Sequence, residues 1–431
     1  MTSEKEIKVH ALVLAGGRGT RSENPLMPKI LQSISDEQKL IDLHFTNLTR
    51  QLNLKITFLL GHLHDPVIQR IKEIESESDC EIDWVLDKEG DTPVTAVLAS
   101  IQKEIDPEAI FVIVLGDILA NVNYIDHIEK LKESEMLGLV LVHPNLHPSE
   151  SDVFEYGATD NAIKLRLKGN GQTSIYPARA IAGVYFLKKS SLDYFNFEEN
   201  DIANGVIEPL FSAGKLMIKN TFEYFQDTGT RDRLDKARRD YSSGAFDLRG
   251  KKSKGCIFLD RDGTLIPDTG TDRKAIARND LSAKTIKAIA KANESGIPVI
   301  LVTNQPGIAK GFITVEDFLA TQQQLESILN ENHALLDDFV FCPHHPETGF
   351  EGEVQELKVE CDCRKPRTGM IKEIARRHNI DIKSSILIGD SDADSEAASN
   401  CGMLFLKVVQ NQSSGPDISA QIYEAVLRIK S

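Results

Sequence analysis

The sequence predicts an α/β protein of two successive domains, each built around a mainly parallel sheet. Short β-branched runs alternate with amphipathic stretches along the whole chain, as helices packed against a parallel sheet require. The alternation breaks once, in "SSGAFDLRGKKSKG", and then restarts with a fresh apolar run. At roughly 150 residues per domain, a chain of 431 residues can bury two full cores.

In the first half "HALVLAGG", "ITFLLG", "DWVLD", "IFVIVLGD", "GLVLVH" and "GVYFL" are predicted as strands. "PVTAVLASIQKEI", "YIDHIEKLKES" and the closing "RDRLDKARRDY" have helical periodicity. The second half restarts at "GCIFLDRDG" and continues through strands "PVILVTNQ", "FVFCPHH", "SILIGD" and "MLFLKV", separated by helical stretches such as "AKTIKAIAKANESG". The expected division is residues 1–243, a linker over 244–254, and residues 255–431. The halves share an architecture but no motif spacing, so they are not repeats.

Composition narrows the function classes. An apolar share of 41% and a charged share of 27% are ordinary for a globular protein, and no stretch supplies the roughly 20 apolar residues that span a bilayer. The opening "MTSEKEIKVHALVLAGG" has no basic segment ahead of an apolar core, so it is not a secretory signal, and a cytoplasmic location without a membrane partner is expected. A net charge of −15 without clustered Lys and Arg argues against nucleic acid. The most basic run, "RGKKSKG", is short and fits a solvated linker. Small anionic substrates remain compatible, since a metal ion and a few placed cations reverse the sign locally. Oligomeric state is not legible. Six cysteines are too few and too uneven for a disulfide framework, and three of them between Cys342 and Cys363 point to metal.

"LVLAGGRGTRSENPLMPKIL" is a buried strand entering a loop with Gly16, Gly17 and Gly19, followed by the cations Arg18, Arg21 and Lys29. Glycines let backbone N–H groups approach phosphate oxygens, and the cations neutralise charge that builds during transfer. Glycines alone also serve a plain tight turn. Neither a P-loop ending nor a G-x-G-x-x-G spacing is present. The segment resembles the signature of sugar-1-phosphate nucleotidyltransferases, a G-x-G-T-R loop (Gly17, Arg18, Gly19, Thr20, Arg21) followed by a P-K pair (Pro28, Lys29). That resemblance implies a GT-A-like mixed sheet. It also implies Mg²⁺ held by Asp117 of "VLGD" and Asp227 of "FQDTGT", Arg21 on the triphosphate and Lys29 on the reacting phosphates. It implies further base or sugar contacts from "GDTPVTA", Thr95 among them. The family's interior "EK" pair is replaced by "RLKG", with Lys168 as the counterpart. The implied reaction is in-line attack by a sugar phosphate oxygen on the α-phosphorus with loss of pyrophosphate, driven by positioning and charge neutralisation.

"FLDRDGT" sets Asp260 and Asp262 two apart after an apolar strand, facing the same way if the strand continues. Two carboxylates so close call for a cation and a division of labour. The pattern resembles the haloacid dehalogenase superfamily, which implies Asp260 as nucleophile and Asp262 as acid and base. The same resemblance gives Thr303 and Asn304 to the phosphate, Lys365 of "CRKP" as the balancing cation, and Asp390, with Asp394, to Mg²⁺ beside Asp260 and Asp262. Cys342 and His344 in "CPHHP", with Cys361 and Cys363 in "CDC", offer three thiolates and an imidazole, the donor set of a closed structural zinc site. His345 is an alternative ligand. Such a clasp would preorient Arg364 and Lys365. With "TNQPGIAKG" and "CRKPRTGM", it narrows the resemblance to heptose bisphosphate phosphatases and their histidinol-phosphatase relatives. Ser391 stands where these often carry Lys.

Together the resemblances imply consecutive steps: removal of the C7 phosphate from D-glycero-D-manno-heptose 1,7-bisphosphate, then nucleotidyl transfer, from GTP, to the 1-phosphate. Two other readings stay open. One is a CTP- or UTP-dependent transferase fused to a phosphatase for another phosphosugar or polyol. The other makes the first half a nucleotide-sugar-binding scaffold without turnover.

Overall fold

The computed structural model describes residues 8–17, 27–51, 55–78, 80–87, 92–146, 148–157, 162–168, 176–270, 273–408 and 416–430. The chain divides into two compact units, Met1–Val142 with Ile181–Gly250, and His143–Ala180 with Lys251–Ser431. Among the described residues no helix is long and apolar enough to cross a membrane.

The first unit is organised on β1 (Val9–Ala15), β2 (Lys55–Leu60), β3 (Ile82–Leu86), β4 (Ile110–Leu115), β5 (Ile118–Asn121) and β6 (Gly138–His143). β7 (Val153–Tyr156) and β8 (Ala162–Arg166) form a hairpin; β9 (Ala178–Lys188), β10 (Leu216–Asn220) and β11 (Tyr224–Asp227) follow. The main sheet runs β10-β6-β9-β4-β1-β2-β3. β1 to β4 pair in parallel, whereas β9 lies antiparallel to β4, so the sheet is mixed. All six predicted strands of this half are present. Their apolar runs fill both faces: Ala11 and Val112 on one side and Leu12 and Ile113 on the other are all buried, as expected where helices cover a sheet on two sides.

β5 and β11 form a separate antiparallel ribbon that pairs Ile118 with Asp227. Each has only four residues, too few for a period-2 pattern to register in the sequence. The expected linker also differs. Residues Ala245–Gly250 form a helix, because Ala245 and Phe246 bury themselves and Phe246 packs on Tyr224 and Tyr241. Six residues hold less than two helical turns, so no periodicity announces the helix.

The second unit carries a parallel sheet, β14-β13-β12-β15-β16, from β12 (Ile257–Leu259), β13 (Val299–Asn304), β14 (Asp338–Cys342), β15 (Ile386–Gly389) and β16 (Leu404–Lys407). β12 is central, short and fully buried. Four adjacent carboxyl ends deliver Asp260, Asn304, Cys342 and Asp390 to one edge, where ligands bind in open parallel sheets. The β7–β8 hairpin falls in this unit; Arg179 beside it is buried and makes a two-pronged ion pair with Glu326 of the helix Val315–Asn330, at 2.9 and 3.3 Å.

Candidate active sites

In the first unit the residues that follow β1 and β4 converge. A Cβ on Gly16 would run into Asp87 Oδ2, so a larger residue there would displace that carboxylate, whereas a Cβ on Gly17 would meet no described atom within 4 Å. Arg18, Gly19, Thr20 and Arg21 lie outside the described residues, as do residues 90–91 of "GDTPVTA".

Asp117 and Asp227 are brought together by the ribbon: Thr228 donates its backbone N–H and its hydroxyl to the Asp117 carbonyl, both at 2.9 Å. Lys29 Nζ donates to Asp117 Oδ2 at 2.8 Å. Asp227 accepts from Arg233 NH1 at 2.9 Å and from the Gly229 N–H. The two carboxylates and two cations thus form one half-exposed set. Magnesium is commonly held by one or two carboxylates plus substrate phosphates, and the Asp117–Asp227 pair fits that demand.

Arg233 and His44 are absent from the sequence reading. Arg233 is one of several cations on a helix that looks like a solvated face. His44 is buried; burial pushes its imidazole down to about 4, while a bond to the Gly116 backbone and the Asp117 charge oppose the shift.

Thr95 and Lys168, expected to contact base or sugar, have protein partners of their own. The Thr95 hydroxyl is engaged at the start of the helix Pro93–Ile101, accepting from the Thr92 N–H at 2.8 Å and donating to the Thr92 carbonyl at 3.0 Å. Lys168 is exposed beyond β8 in the second unit, with Nζ 3.5 Å from Asp152.

In the second unit the central object is a buried ammonium. Lys365 Nζ lies 2.6 Å from Asp260 Oδ1, 2.6 Å from Asp394 Oδ1 and 2.8 Å from the Val302 carbonyl. Burial opposes its charge, but the two carboxylates outweigh that cost and hold its pKa above the ordinary lysine value. Burial pushes the Asp260 carboxyl up to about 7 against the pull of Lys365. Asn304 clamps the Lys365 backbone, donating to its carbonyl and accepting from its N–H, both at 3.0 Å. Thr303, expected on phosphate, accepts from Gln305 Nε2 at 2.9 Å.

Asp260, Asp390 and Asp394 each present a ligand oxygen, all within 4.8 Å of one another, a donor set suited to magnesium. Asp262 is not in this group. The strand ends at Leu259 and the chain turns, with Leu265 and Ile266 both donating to the Arg261 carbonyl. The two aspartates therefore do not face the same way: the Asp262 carboxylate meets Arg261 Nε at 2.9 Å and Gln305 Nε2 at 2.7 Å. Ser391 donates its N–H and hydroxyl to Asp394 Oδ2 at 3.1 and 2.6 Å, capping the helix Asp392–Cys401.

The four zinc candidates converge. Cys363 Sγ lies 3.2 Å from Cys342 Sγ, 3.2 Å from Cys361 Sγ and 3.2 Å from His344 Nδ1. Ligands at about 2.3 Å from a tetrahedral zinc stand roughly 3.8 Å apart, so the donors fit the ion with a small expansion. Hydrogen bonds from Cys342 foremost, with Cys361 and His344, bring the Cys363 thiol down to about 5. His345 is outside this group; its Nδ1 accepts from the Glu347 N–H at 3.3 Å. Arg364 NH1 reaches the His344 carbonyl at 3.5 Å, tying that guanidinium to the clasp.

A family model for nucleotidyl transferases matches residues 10–244, and one for HAD-hydrolase-like proteins matches residues 362–428. D-glycero-beta-D-manno-heptose-1,7-bisphosphate 7-phosphatase of Yersinia pestis is 39% identical over 147 residues, 34% of this chain and 76% of the relative. The alpha-anomer enzyme of Photorhabdus laumondii is 34% identical over 165 residues, 38% of this chain and 87% of the relative. The crystal structure of HddC from Yersinia pseudotuberculosis aligns over 54% of this chain and 99% of its own at 21% identity, with a TM-score of 0.42.

Proposed function

Because the chain belongs to the nucleotidyl transferase family through its first half and to the family of the heptose-1,7-bisphosphate 7-phosphatases through its second, we propose that it performs two consecutive steps in making a nucleotide-activated heptose. It is a transferase and a phosphatase in one polypeptide, the transferase within residues 1–243 and the phosphatase within 255–431. The phosphatase removes the C7 phosphate of D-glycero-D-manno-heptose 1,7-bisphosphate, and the transferase joins GMP from GTP to the remaining 1-phosphate. Both steps belong in the cytoplasm, where triphosphates are made.

The observation that carries the reading is the buried Lys365 shared by Asp260 and Asp394. It holds Asp260 Oδ1 at the mouth of the sheet, where that oxygen attacks phosphorus and the sugar oxygen departs with its electron pair and a proton from Asp262. Water then gives its proton to Asp262, and its oxygen attacks the same phosphorus, releasing phosphate and restoring Asp260. Asp260, Asp390 and Asp394 would hold Mg²⁺, which lowers the charge the phosphoryl group presents. Cys342, His344, Cys361 and Cys363 would hold zinc, fixing Arg364 and Lys365.

In the transferase, Asp117 and Asp227 would hold Mg²⁺, and Lys29 and Arg233 then face polyphosphate oxygens instead of carboxylates. Arg21 and the Gly17–Thr20 loop would bind the triphosphate, as the family's signature implies.

Incubation with each heptose 1,7-bisphosphate anomer and each of the four ribonucleoside triphosphates tests the scheme, with phosphate and pyrophosphate assayed separately. The expected result is phosphate release from bisphosphate alone, and pyrophosphate with GTP only after that phosphate has left. Pyrophosphate with CTP or UTP replaces the base assignment. Phosphate without pyrophosphate under every triphosphate leaves the first half a binding scaffold.

A further inference from the structure

Arg261 stands between the two motif aspartates, a position at which any side chain would preserve the D-x-D spacing. It is nonetheless the largest fully buried side chain among the described residues, with 2% of its surface exposed. Burying a guanidinium is costly unless its donors are used, and here they are. Nε donates to Asp262 Oδ2 at 2.9 Å, NH2 to Asp262 Oδ1 at 3.3 Å and to Gln305 Oε1 at 2.9 Å, and NH1 to Thr321 Oγ1 at 3.3 Å. The guanidinium carbon sits 5.0 Å from the centre of the Phe318 ring. Gln305 is buried as well and closes the ring of contacts. Its Nε2 donates to Asp262 Oδ2 at 2.7 Å and to Thr303 Oγ1 at 2.9 Å, and its own N–H is pinned to the Cys342 carbonyl at 2.8 Å.

Both Asp262 oxygens are therefore held by buried donors, while a fifth of that side chain remains exposed. We propose that Arg261 and Gln305 are positioning residues that fix the Asp262 carboxyl in the one orientation from which it gives a proton to the departing sugar oxygen and takes one from the attacking water. The proposal rests on the aspartyl-phosphate reading above and deepens it. Two hydrogen bonds from a planar fork define the plane of a carboxylate as well as its distance, which a single lysine contact does not. A carboxyl free to rotate would spend most of its time turned away from the reacting oxygen, and such misplacement lowers kcat without weakening substrate binding.

The test uses the full-length protein and two kinds of phosphate ester. A sugar phosphate has a poor leaving oxygen that needs the proton, whereas p-nitrophenyl phosphate leaves without one. For Arg261→Met, kcat on the sugar bisphosphate should fall by about 10²-fold with KM little changed, the size of a lost general acid. With p-nitrophenyl phosphate the first turnover should survive as a burst of nitrophenolate, after which phospho-enzyme accumulates because water activation fails. Gln305→Met should show the same signature at about 10-fold, and Arg261→Lys should restore part of the sugar phosphate rate. In an Asp262→Asn background, Arg261→Met should cost less than about threefold more, since residues acting through one group are not additive.

Equal losses of the first-turnover rate on both esters, or full additivity with Asp262→Asn, would overturn the clamp and leave Arg261 a packing residue. Wild-type rates in both clamp variants would overturn it too. Asp260→Asn separates this from failure of the underlying mechanism: an active Asp260→Asn protein defeats the covalent reading itself, whatever Arg261 does.

Discussion

The two proposed sites differ in how their charged groups are held. In the second unit the groups proposed to react are held by the protein itself: Lys365 is buried between two carboxylates, Asn304 grips its backbone, and Arg261 and Gln305 grip Asp262. In the first unit the corresponding groups pair with each other across a half-open surface, Lys29 with Asp117 and Arg233 with Asp227, and would exchange those partners for phosphates. The difference fits the proposed chemistry. A carboxylate that attacks phosphorus must be aimed at it, and aim comes from burial and a full set of hydrogen bonds. A transferase that brings two bound substrates together needs charge neutralisation that appears on loading, and exposed ion pairs exchange partners at little cost because each contributes only about 0–1 kcal/mol.

The largest expected effect is a clean separation of activities. Asp260→Asn should lower phosphate release on the order of 10³-fold or more, with pyrophosphate release from a supplied sugar 1-phosphate unchanged. Asp117→Asn should do the converse, lowering pyrophosphate release by about 10²-fold and leaving phosphate release intact. If either substitution in a folded protein removes both activities, the sites are not independent and the contrast fails.

The clasp gives the next largest effect. Cys361→Ser, or a strong zinc chelator, should lower the melting temperature of the second unit by roughly 10 °C, because metal binding energy there is folding energy. Phosphatase kcat should fall with it, since Arg364 and Lys365 flank Cys363, while nucleotidyl transfer persists below the new transition. Zinc content of the purified protein by atomic emission checks the premise, and an unshifted melt on complete metal removal defeats it.

Much of this contrast was legible in the sequence, and for a physical reason. Long apolar runs predicted every large strand, and chemistry-bearing residues stood directly after them, at the carboxyl ends that open parallel sheets reserve for ligands. Cys342, His344, Cys361 and Cys363 could be assembled from two short spacings because each pair is nearly rigid. What stayed hidden was orientation. The D-x-D spacing placed Asp260 and Asp262 on one face only if the strand continued, and it ends at Leu259. Arg261 and Gln305 were in plain view inside the motifs, yet only their burial reveals what they hold. Arg233 had no signal at all, since its helix carries four arginines and nothing in the spacing singles one out. The Ala245–Gly250 helix was read as linker because two buried residues cannot establish a period.

The smallest effect probes a buried imidazole in the first unit. His44 is buried and bonded to the Gly116 backbone, with an imidazole pushed down to about 4 by burial. In the unfolded chain the same imidazole titrates near 6.5. Between those two values the unfolded state binds a proton that the native state does not, so the stability of the first unit falls as pH drops from about 6.5 toward 4 and levels off below. The full loss is about 3 kcal/mol. The second unit has its own buried pair, His378 with Asp338 at 2.8 Å, but there the carboxyl is held below its usual range, chiefly by the His378 bond acting against burial. That contribution is lost only as pH falls through the depressed carboxylate value, below the window in which His44 acts. Acid should therefore soften the transferase before the phosphatase. Trp84 on β3 is the chain's one tryptophan, so its fluorescence reports the first unit alone. Urea unfolding followed at Trp84 should show a midpoint that drops between pH 7 and 4.5, and His44→Gln should flatten that slope. A midpoint independent of pH in the wild-type protein would mean that His44 is reached by solvent and is not the buried neutral imidazole beside Gly116.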